Sequence, residues 1–156
     1  MSMPEVILHP LAILTITQSA TYTTVNFSST APRRSVGILM GLKKGDSIVI
    51  RCALEFPESE LLEKMQNGLK LFKEGNKDYE IVGWFAAMAN CEPQMADIDF
   101  HQKVCADQNG VFLLLNTTKC YDPKTDKIPV TLCVVRNNLF VPCKYSIALL
   151  FDIVQC

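Results

Sequence analysis

The sequence has no excess of charge of either sign and no run of residues apolar enough to cross a membrane. Its 156 residues include 15 lysines and arginines against 16 aspartates and glutamates, so no single-sign field is available to bind nucleic acid. The longest apolar stretches, such as 145–154, contain polar breaks and fall short of a bilayer span. The sequence therefore predicts neither a nucleic-acid partner nor a membrane partner.

The chain also lacks the marks of a disulfide framework and of a phosphate-binding loop. Its 7 cysteines are an odd number without any C-x-x-C pair, and its 7 glycines match neither dinucleotide nor P-loop spacing. The opening residues are not a basic segment followed by an apolar run, as a signal peptide requires. We therefore expect reduced thiols and a location in the cytoplasm and the nucleus.

What the chain does have is enough apolar residues for one core. Hydrophobic residues make up 49% of the sequence, which is ordinary globular composition, and a chain of this length buries roughly 70% of its unfolded surface. Internal repeats and Gly/Ser linkers do not appear. We therefore expect a single domain over residues 1–156.

The first third predicts a helix and a pair of strands. A helix starting near His9 and Pro10 fits the apolar segment 6–22, because proline suits a first helical turn, although β-branched residues there leave a strand possible. Residues 23–34 are polar and predict a loop. Residues 35–42 and 47–56 predict two strands joined by a hairpin turn at 43–46.

The middle of the chain predicts two more helices around one strand. The first follows Pro57, with Ser59 as its cap, and ends near Gly75. Its apolar side chains form one stripe, which comprises Leu61, Leu62, Met65, Leu69 and Phe72. A strand over 80–85 and a loop over 90–95 follow. Asp97 then caps a short helix that runs to about residue 107.

The last part predicts three strands and completes the fold class. The strands cover 111–116, 128–136 and 139–154, with a tight turn at Asn137 and Asn138, because asparagine tolerates left-handed backbone geometry. The order of elements predicts an α+β domain, an α/β sandwich whose mixed sheet of about six strands is flanked by helices.

Residues that could carry chemistry are few. His101 and Cys105 are four apart on the predicted helix and share one face, with Asp97 and Asp99 nearby, but a zinc site needs further ligands at matching spacing. His9 lies in an apolar segment without a nucleophile, which favours a structural role.

Two cysteines are candidate nucleophiles. Cys91 and Cys105 are not near a glycine-rich elbow or an activating basic residue in the sequence. Unactivated cysteine usually serves as a small buried hydrophobe. The residues alone therefore predict an α+β domain without a visible active site.

Three segments, in order along the chain, resemble the MPN (JAMM-type) domain family. The core of the resemblance is residues 83–85 (GWF), followed after a short loop by 97–103 (DIDFHQK). Residues 6–11 (VILHPL) resemble the family's opening segment, and 36–41 (VGILMG) resemble its glycine-flanked strand. Each segment is weak alone, and the three together span most of the chain.

Active members of that family are zinc isopeptidases that remove ubiquitin or a ubiquitin-like modifier. Their motif is His-x-His, seven residues, Ser, two residues and Asp, with a glutamate on an earlier strand. The imidazoles and the carboxylate hold zinc and leave a position for water, which the glutamate deprotonates. In this sequence the five positions carry Arg34 (or Ser35), Ala86, Met88, Ala96 and Asp99.

The resemblance therefore implies an MPN domain that is not an enzyme, with no catalytic residue, metal or cofactor. Among inactive members it resembles most the subunit 6 family of the COP9 signalosome, through residues 97–105 and 111–116. Such a subunit is a scaffold that pairs with a catalytic MPN subunit in a complex that removes NEDD8 from cullins. The inactive MPN subunits of the proteasome lid and of translation initiation factor three are alternatives.

Two further expectations accompany this resemblance. The C-terminal helices of the family are not recognisable in the sequence, and the apolar stripe of the second predicted helix is the candidate contact face for the catalytic subunit. The alternative of a different class is a metal-dependent isopeptidase with a relocated site at Asp99, His101 and Cys105. A spacing of two on a helix turns Asp99 and His101 to different faces, which argues against that site.

Overall fold

The fold is described from a computed structural model of the chain. The described residues are 3–26, 35–56, 63–64, 67–68, 70, 74–75, 78–88, 95–105, 110–117 and 130–147. For residues 20–26 and 95–96 the description covers the backbone only.

The described strands form one mixed sheet of eight strands, in the order β7-β6-β5-β4-β2-β3-β1-β8. Strand β1 is parallel to β3 and β8, β4 is parallel to β5, and the remaining pairs are antiparallel. The strands are β1 Glu5–Leu8, β2 Ser35–Lys44, β3 Ser47–Phe56, β4 Glu80–Met88, β5 Val111–Asn116, β6 Val130–Arg136, β7 Leu139–Cys143 and β8 Tyr145–Ile147. Two helices are described over their whole length, α1 Pro10–Asn26 and α2 Met95–Val104. The α+β class and the mixed sheet are confirmed, but the predicted number of about six strands is wrong.

The two extra strands have separate causes. Strand β1 ends at Leu8, directly before the helix start that was predicted near His9 and Pro10, and that start is confirmed because α1 begins at Pro10. The predicted strand 139–154 divides at Lys144 into β7 and β8, which pair with different neighbours. Helix α1 also continues to Asn26, so the prediction of a loop from residue 23 is wrong for 23–26.

Both predicted hairpin turns are confirmed. Gly45, between β2 and β3, has φ 60°, which glycine adopts without steric cost. Asn137 and Asn138, between β6 and β7, have φ 53° and 60°, the left-handed pair that a two-residue hairpin loop needs.

The sheet curls until its two edges come close together. Strands β7 and β8 are the two ends of the strand order, but Lys144 alone separates them in the sequence. Two trans peptide steps span at most about 7.6 Å, so Cys143 at one edge lies within that distance of Tyr145 at the other. The curl gives the sheet one face around α1 and one face under α2.

Each face of the sheet has its own core. The core beside α1 contains Leu8, Ile16, Leu39, Phe85 and Leu113, and the core beside α2 contains Val36, Trp84, Ala86, Val104 and Phe112. Strand β4 contributes to both cores because successive side chains point to opposite faces of a sheet. Its residues 82–87 are buried, which is typical of a strand covered on both sides.

The helix predicted after Pro57 is described only in part. The described residues 63–64, 67–68, 70 and 74–75 are helical, as predicted. The cap Ser59 and the stripe lie outside the described residues, so the candidate contact face on this helix stays a prediction; the stripe comprises Leu61, Leu62, Met65, Leu69 and Phe72. Neither α1 nor α2 is long and apolar enough to span a membrane.

The close approach of β4 and β5 at Gly83 can be tested by a substitution that adds a side chain there. An added Cβ at Gly83 would overlap the carbonyl oxygen of Val111 and lie 2.7 Å from its Cγ2. We expect Gly83→Ala to lower the free energy of unfolding by about 2 kcal/mol, because the central strands must move apart. Urea denaturation measures this difference.

The matched control is Gly75→Ala. Gly75 is helical, and an added Cβ there meets nothing within 4 Å, so we expect the free energy of unfolding to stay level or rise by up to about 1 kcal/mol. Equal effects of the two alanines would contradict the packing at Gly83.

Candidate functional site

Strand β4 places the two positions that resemble the family's histidines on the face beneath α2. Ala86 is 0% exposed and packs in the same apolar core as Trp84. Its neighbours across the sheet are Val36 on β2 and Leu114 on β5, whose side chains belong to that core. The methyl group of Ala86 therefore completes a closed apolar layer.

Met88 lies two residues further along β4, at the last residue of the strand. It is half-buried and pairs with Asn116 on β5. Because side chains on a strand repeat every two residues, Met88 projects from the same face as Ala86. The two positions therefore share one face but differ in exposure.

The carboxylate position lies on α2, and the glutamate position lies at the start of β2. Asp99 is exposed, and Ala96 lies in the first turn of α2. Arg34 lies outside the described residues. Ser35 is buried, and its hydroxyl donates to the carbonyl oxygen of Ser19 on α1 at 3.1 Å. Ser35 therefore faces the α1 side of the sheet, away from the face of Ala86.

The side chain of His101 is held in the core beneath α2. The indole N–H of Trp84 donates to its Nδ1 at 2.9 Å, and the ring of Phe140 packs edge-on with centroids 6.0 Å apart. Burial lowers the pKa of His101, and a hydrogen bond with the backbone of Gly110 partly opposes that shift. These contacts favour a neutral, structural imidazole.

Aromatic rings surround the Trp84–His101 pair. Trp84 stacks on Phe112 with centroids 4.1 Å apart and meets Phe100 edge-on at 4.7 Å. An N–H buried among such rings needs an acceptor, and His101 provides it. Sequence reasoning missed this pair, although one signal was present: Trp84, the single tryptophan, lies in a strand that reads as buried.

The three residues of the predicted relocated site do not come together. Asp99 is exposed, whereas His101 and Cys105 are buried, and no three His, Cys, Asp or Glu side chains within the described part of the chain form a group able to hold a metal ion. Asp97 is buried within the first turn of α2, which starts at Met95. Asp97 is therefore not the cap residue that the sequence predicted.

His9 caps helix α1. Its Nδ1 accepts the N–H of Leu11 at 3.2 Å, and its carbonyl oxygen accepts the N–H of Ala12 at 3.0 Å. Burial lowers the pKa of His9, and the nearby charge of Arg51 lowers it further. The structural role favoured from the sequence fits this geometry, because a side-chain acceptor at the N-cap satisfies an otherwise free N–H of the first turn.

Burial keeps the thiols of Cys52, Cys133 and Cys143 protonated. It raises the pKa of Cys52 to about 11 and that of Cys143 to about 11, and it raises the pKa of Cys133. A thiol with a raised pKa is a poor nucleophile at neutral pH because the thiolate is the reactive form. Cys91, a predicted candidate nucleophile, lies outside the described residues.

The mixed sheet, the two glycine-bearing central strands and the helix over β4 agree with what the sequence resembles. The model of the family described as JAB1/Mov34/MPN/PAD-1 ubiquitin protease matches residues 1–110 of the 156. The chain belongs to this MPN family. The match includes β2, β4 and α2, and residues 1–110 contain every position at which the family motif was read.

A curated relative gives a second comparison. The chain is 23% identical over 133 residues to COP9 signalosome complex subunit 6 of Dictyostelium discoideum, and this alignment covers 82% of the chain and 41% of the relative. The chain therefore spans about two-fifths of the length of this relative. The resemblance to signalosome subunit 6 that was read from the sequence is confirmed at this weak level of similarity.

The two buried histidines of the MPN domain predict a stability that falls in acid. Their pKa values are lowered in the folded state, so below the unfolded value of about 6.5 the unfolded chain binds more protons. We expect the free energy of unfolding to be highest above about pH 6.5 and to decrease between pH 6.5 and 5. Urea denaturation across this pH range measures the slope.

A substitution assigns part of that slope to His101. His101→Gln keeps an oxygen that accepts the N–H of Trp84 but removes the titration, so we expect a shallower slope by up to about 1 kcal/mol per pH unit. His9→Asn, which retains a cap, is the matched variant for the other histidine. An unchanged slope in His101→Gln would contradict the buried, neutral imidazole.

Proposed function

We propose that this chain is a catalytically inactive MPN domain that acts as a scaffold subunit of a signalosome-type complex. One observation carries the proposal: in a member of the MPN family, Ala86 fills the first metal-histidine position and is sealed in an apolar core. Zinc hydrolases need several ligands and an open position for water. A methyl group without solvent access provides neither.

The remaining motif positions support the same proposal. Met88 offers a thioether, which is a poor zinc ligand compared with imidazole. Asp99 is a single exposed carboxylate, and one carboxylate does not hold a zinc ion in place. Ala96 has no hydroxyl to hold a developing oxyanion, and Arg34 or Ser35 does not act as the general base.

The similarity to a subunit of the COP9 signalosome suggests the complex. In our proposal the chain pairs with the catalytic MPN subunit of a complex that removes NEDD8 from cullins, in the cytoplasm and the nucleus. The proteasome lid and translation initiation factor three are the alternative complexes. The identity of the catalytic or companion MPN subunit that purifies with the chain distinguishes them.

The alternative to a scaffold is an enzyme, a metal-dependent isopeptidase with a relocated site. His101 was its central ligand, and both sides of that imidazole are engaged, by Trp84 and by the backbone of Gly110. Metal analysis of the purified chain tests it: stoichiometric zinc that is lost in His101→Ala would favour the relocated site over the scaffold.

The burial of Ala86 predicts that histidine cannot simply be restored. Ala86→His forces a larger, polar ring into the closed layer, so we expect the free energy of unfolding to fall by about 3 kcal/mol. The matched control is Met88→His, at the half-buried end of the same strand and face, and we expect it to lower the free energy of unfolding by about 1 kcal/mol. Urea denaturation measures both.

Metal binding by the restored chain checks the same point. We expect the double variant Ala86→His/Met88→His to bind no stoichiometric zinc, although Asp99 is present, since an imidazole at position 86 has no room and no solvent access in the closed apolar layer. Tight zinc binding by this double variant together with an unchanged free energy of unfolding would show that the site is open and would contradict the proposal.

A direct test of the proposal uses association and activity together. The tagged chain is co-expressed with the catalytic MPN subunit of the signalosome from the same organism, purified, and assayed on a NEDD8–cullin conjugate. We expect co-purification, and no cleavage by the chain alone above a chelator-treated control. Cleavage of the conjugate by the chain alone would refute the proposal that the chain is inactive. Failure of the catalytic subunit to co-purify would refute the proposed pairing.

A further inference from the structure

The junction between β1 and α1 is held by one residue. The backbone N–H of His9 donates to the carbonyl oxygen of Ile50 on β3 at 2.9 Å, which fixes the end of β1 to the sheet. The carbonyl oxygen and the ring of His9 accept the N–H groups of Ala12 and Leu11, which fixes the start of α1. Pro10, the first helical residue, has no N–H to satisfy. His9 therefore joins the strand to the helix.

The cap formed by this ring exists in one protonation state. Because Nδ1 of His9 accepts the N–H of Leu11 at 3.2 Å, the proton of the neutral ring is on Nε2. An imidazolium carries a proton on both nitrogens. Two N–H donors would then face each other, so protonation breaks this hydrogen bond and the ring has to turn away.

Two positive groups beside the ring oppose an imidazolium. The positive end of the α1 dipole lies here, and none of the 17 residues of α1 is Asp or Glu, so no carboxylate of the helix offsets it. On β3, the charge of Arg51 lowers the pKa of His9, in addition to the larger effect of burial. Both groups favour the neutral ring that caps the helix.

The strands around the junction place no carboxylate against the ring. Glu5 on β1 and Glu55 on β3 are exposed, and each lies four residues along its strand from His9 or Arg51. Strand β8, which pairs with β1, has the phenol of Tyr145 and no charged residue. Among the described residues, Arg51 is therefore the charged side chain that acts on the pKa of His9.

The contacts on either side of the cap do not need the ring. The backbone hydrogen bond from His9 to Ile50 and the pairing of Leu8 with Ile50 hold β1. Ala12 is buried, and its N–H bonds the carbonyl oxygen of His9 and not the ring. Leu11 is 52% exposed, so water can replace the ring as the acceptor of its N–H without leaving a buried donor unsatisfied. Loss of the cap is therefore a local event.

We propose that His9 is an acid-sensitive switch at the β1–α1 junction: protonation turns its ring out of the cap and frees the N–H of Leu11, while the sheet and the rest of α1 stay folded. Protonation of a histidine is a common trigger of such local changes between about pH 5 and 6. The switch does not depend on the proposed scaffold function, because it involves no partner and no position of the family motif.

Hydrogen exchange at single amides tests the switch in the full chain. The protection factor of the Leu11 amide is measured by NMR between about pH 7.5 and 5, with the amides of Ala12 and Leu113 as references for the helix and the central sheet. Because the pKa of His9 is lowered in the folded state, the cap is complete above the unfolded value of about 6.5 and is lost as the pH falls towards the folded value.

We expect the protection factor of Leu11 to fall about ten-fold per pH unit below about pH 6.5, because the opening takes up one proton. Those of Ala12 and Leu113 stay level until the whole domain unfolds. His9→Asn supplies a cap that does not titrate, so it removes the pH dependence at Leu11. His101→Gln is the matched control and keeps it, because His101 lies beneath α2 and bonds Trp84.

Three results would overturn the switch. One is a protection factor of Leu11 that stays constant over this pH range. Another is an equal fall at Leu11, Ala12 and Leu113, since acid would then unfold the domain as a whole. The third is a pH dependence at Leu11 that persists in His9→Asn.

A measurement on the wild type decides the proposal if His9→Asn does not fold. The ring carbon shifts of His9 report its protonation directly, and we expect their midpoint to coincide with the midpoint of a shift change at the Leu11 amide. Different midpoints for the ring and the amide would refute His9 as the trigger. His9→Ser, which carries another cap residue, provides the second variant.

Discussion

The hydrogen bond from Trp84 to His101 determines how helix α2 lies on the sheet. Trp84 is fully buried between Phe112 and Phe100, where an N–H without an acceptor costs about 1–3 kcal/mol. His101 is therefore turned inward, and its own burial favours the neutral form that can accept. Asp99, two residues earlier, lies on the exposed side of the helix as a consequence. One buried pair thus sets both the core and the orientation of the residue that resembles a metal ligand.

Local patterns in the sequence predicted the parts of the fold that depend on local chemistry. The turns at Gly45 and at Asn137–Asn138 follow from residues that accept positive φ, and the antiparallel pair β2–β3 follows from the turn between its strands. The resemblance of residues 83–85 and 97–103 to the MPN family is confirmed by the match over residues 1–110. These features lie close together in sequence or in a single motif.

The features that were missed depend on contacts between distant residues. Strand β1 has four residues and is a strand because it pairs with β3 and β8, about 40 and 140 positions away. The division at Lys144 arises because the chain passes from one sheet edge to the other, which periodicity within 139–154 does not reveal. The acceptor of the Trp84 N–H lies 17 residues along the chain, and its identity follows from the packing of α2 on β4.

An apolar core and an open metal site make opposite demands on the same strand. A zinc hydrolase keeps polar ligands at a position that water and substrate reach, whereas Ala86 contributes a methyl group to a core closed by Val36 and Leu114. In this core the methyl group of Ala86 adds buried apolar area and is shielded from water. The end of β4 at Met88, still half-buried, is the part of the motif that this core does not enclose.

Helix α1 contributes to stability through one of its faces. Its inner face, with Ala12 and Ile16, belongs to the core beside β3 and β4, so changes there lower the free energy of unfolding and any binding together. Its outer face, with Leu11 and Leu14, contributes little to the core because half of each side chain is exposed, so changes there leave folding intact.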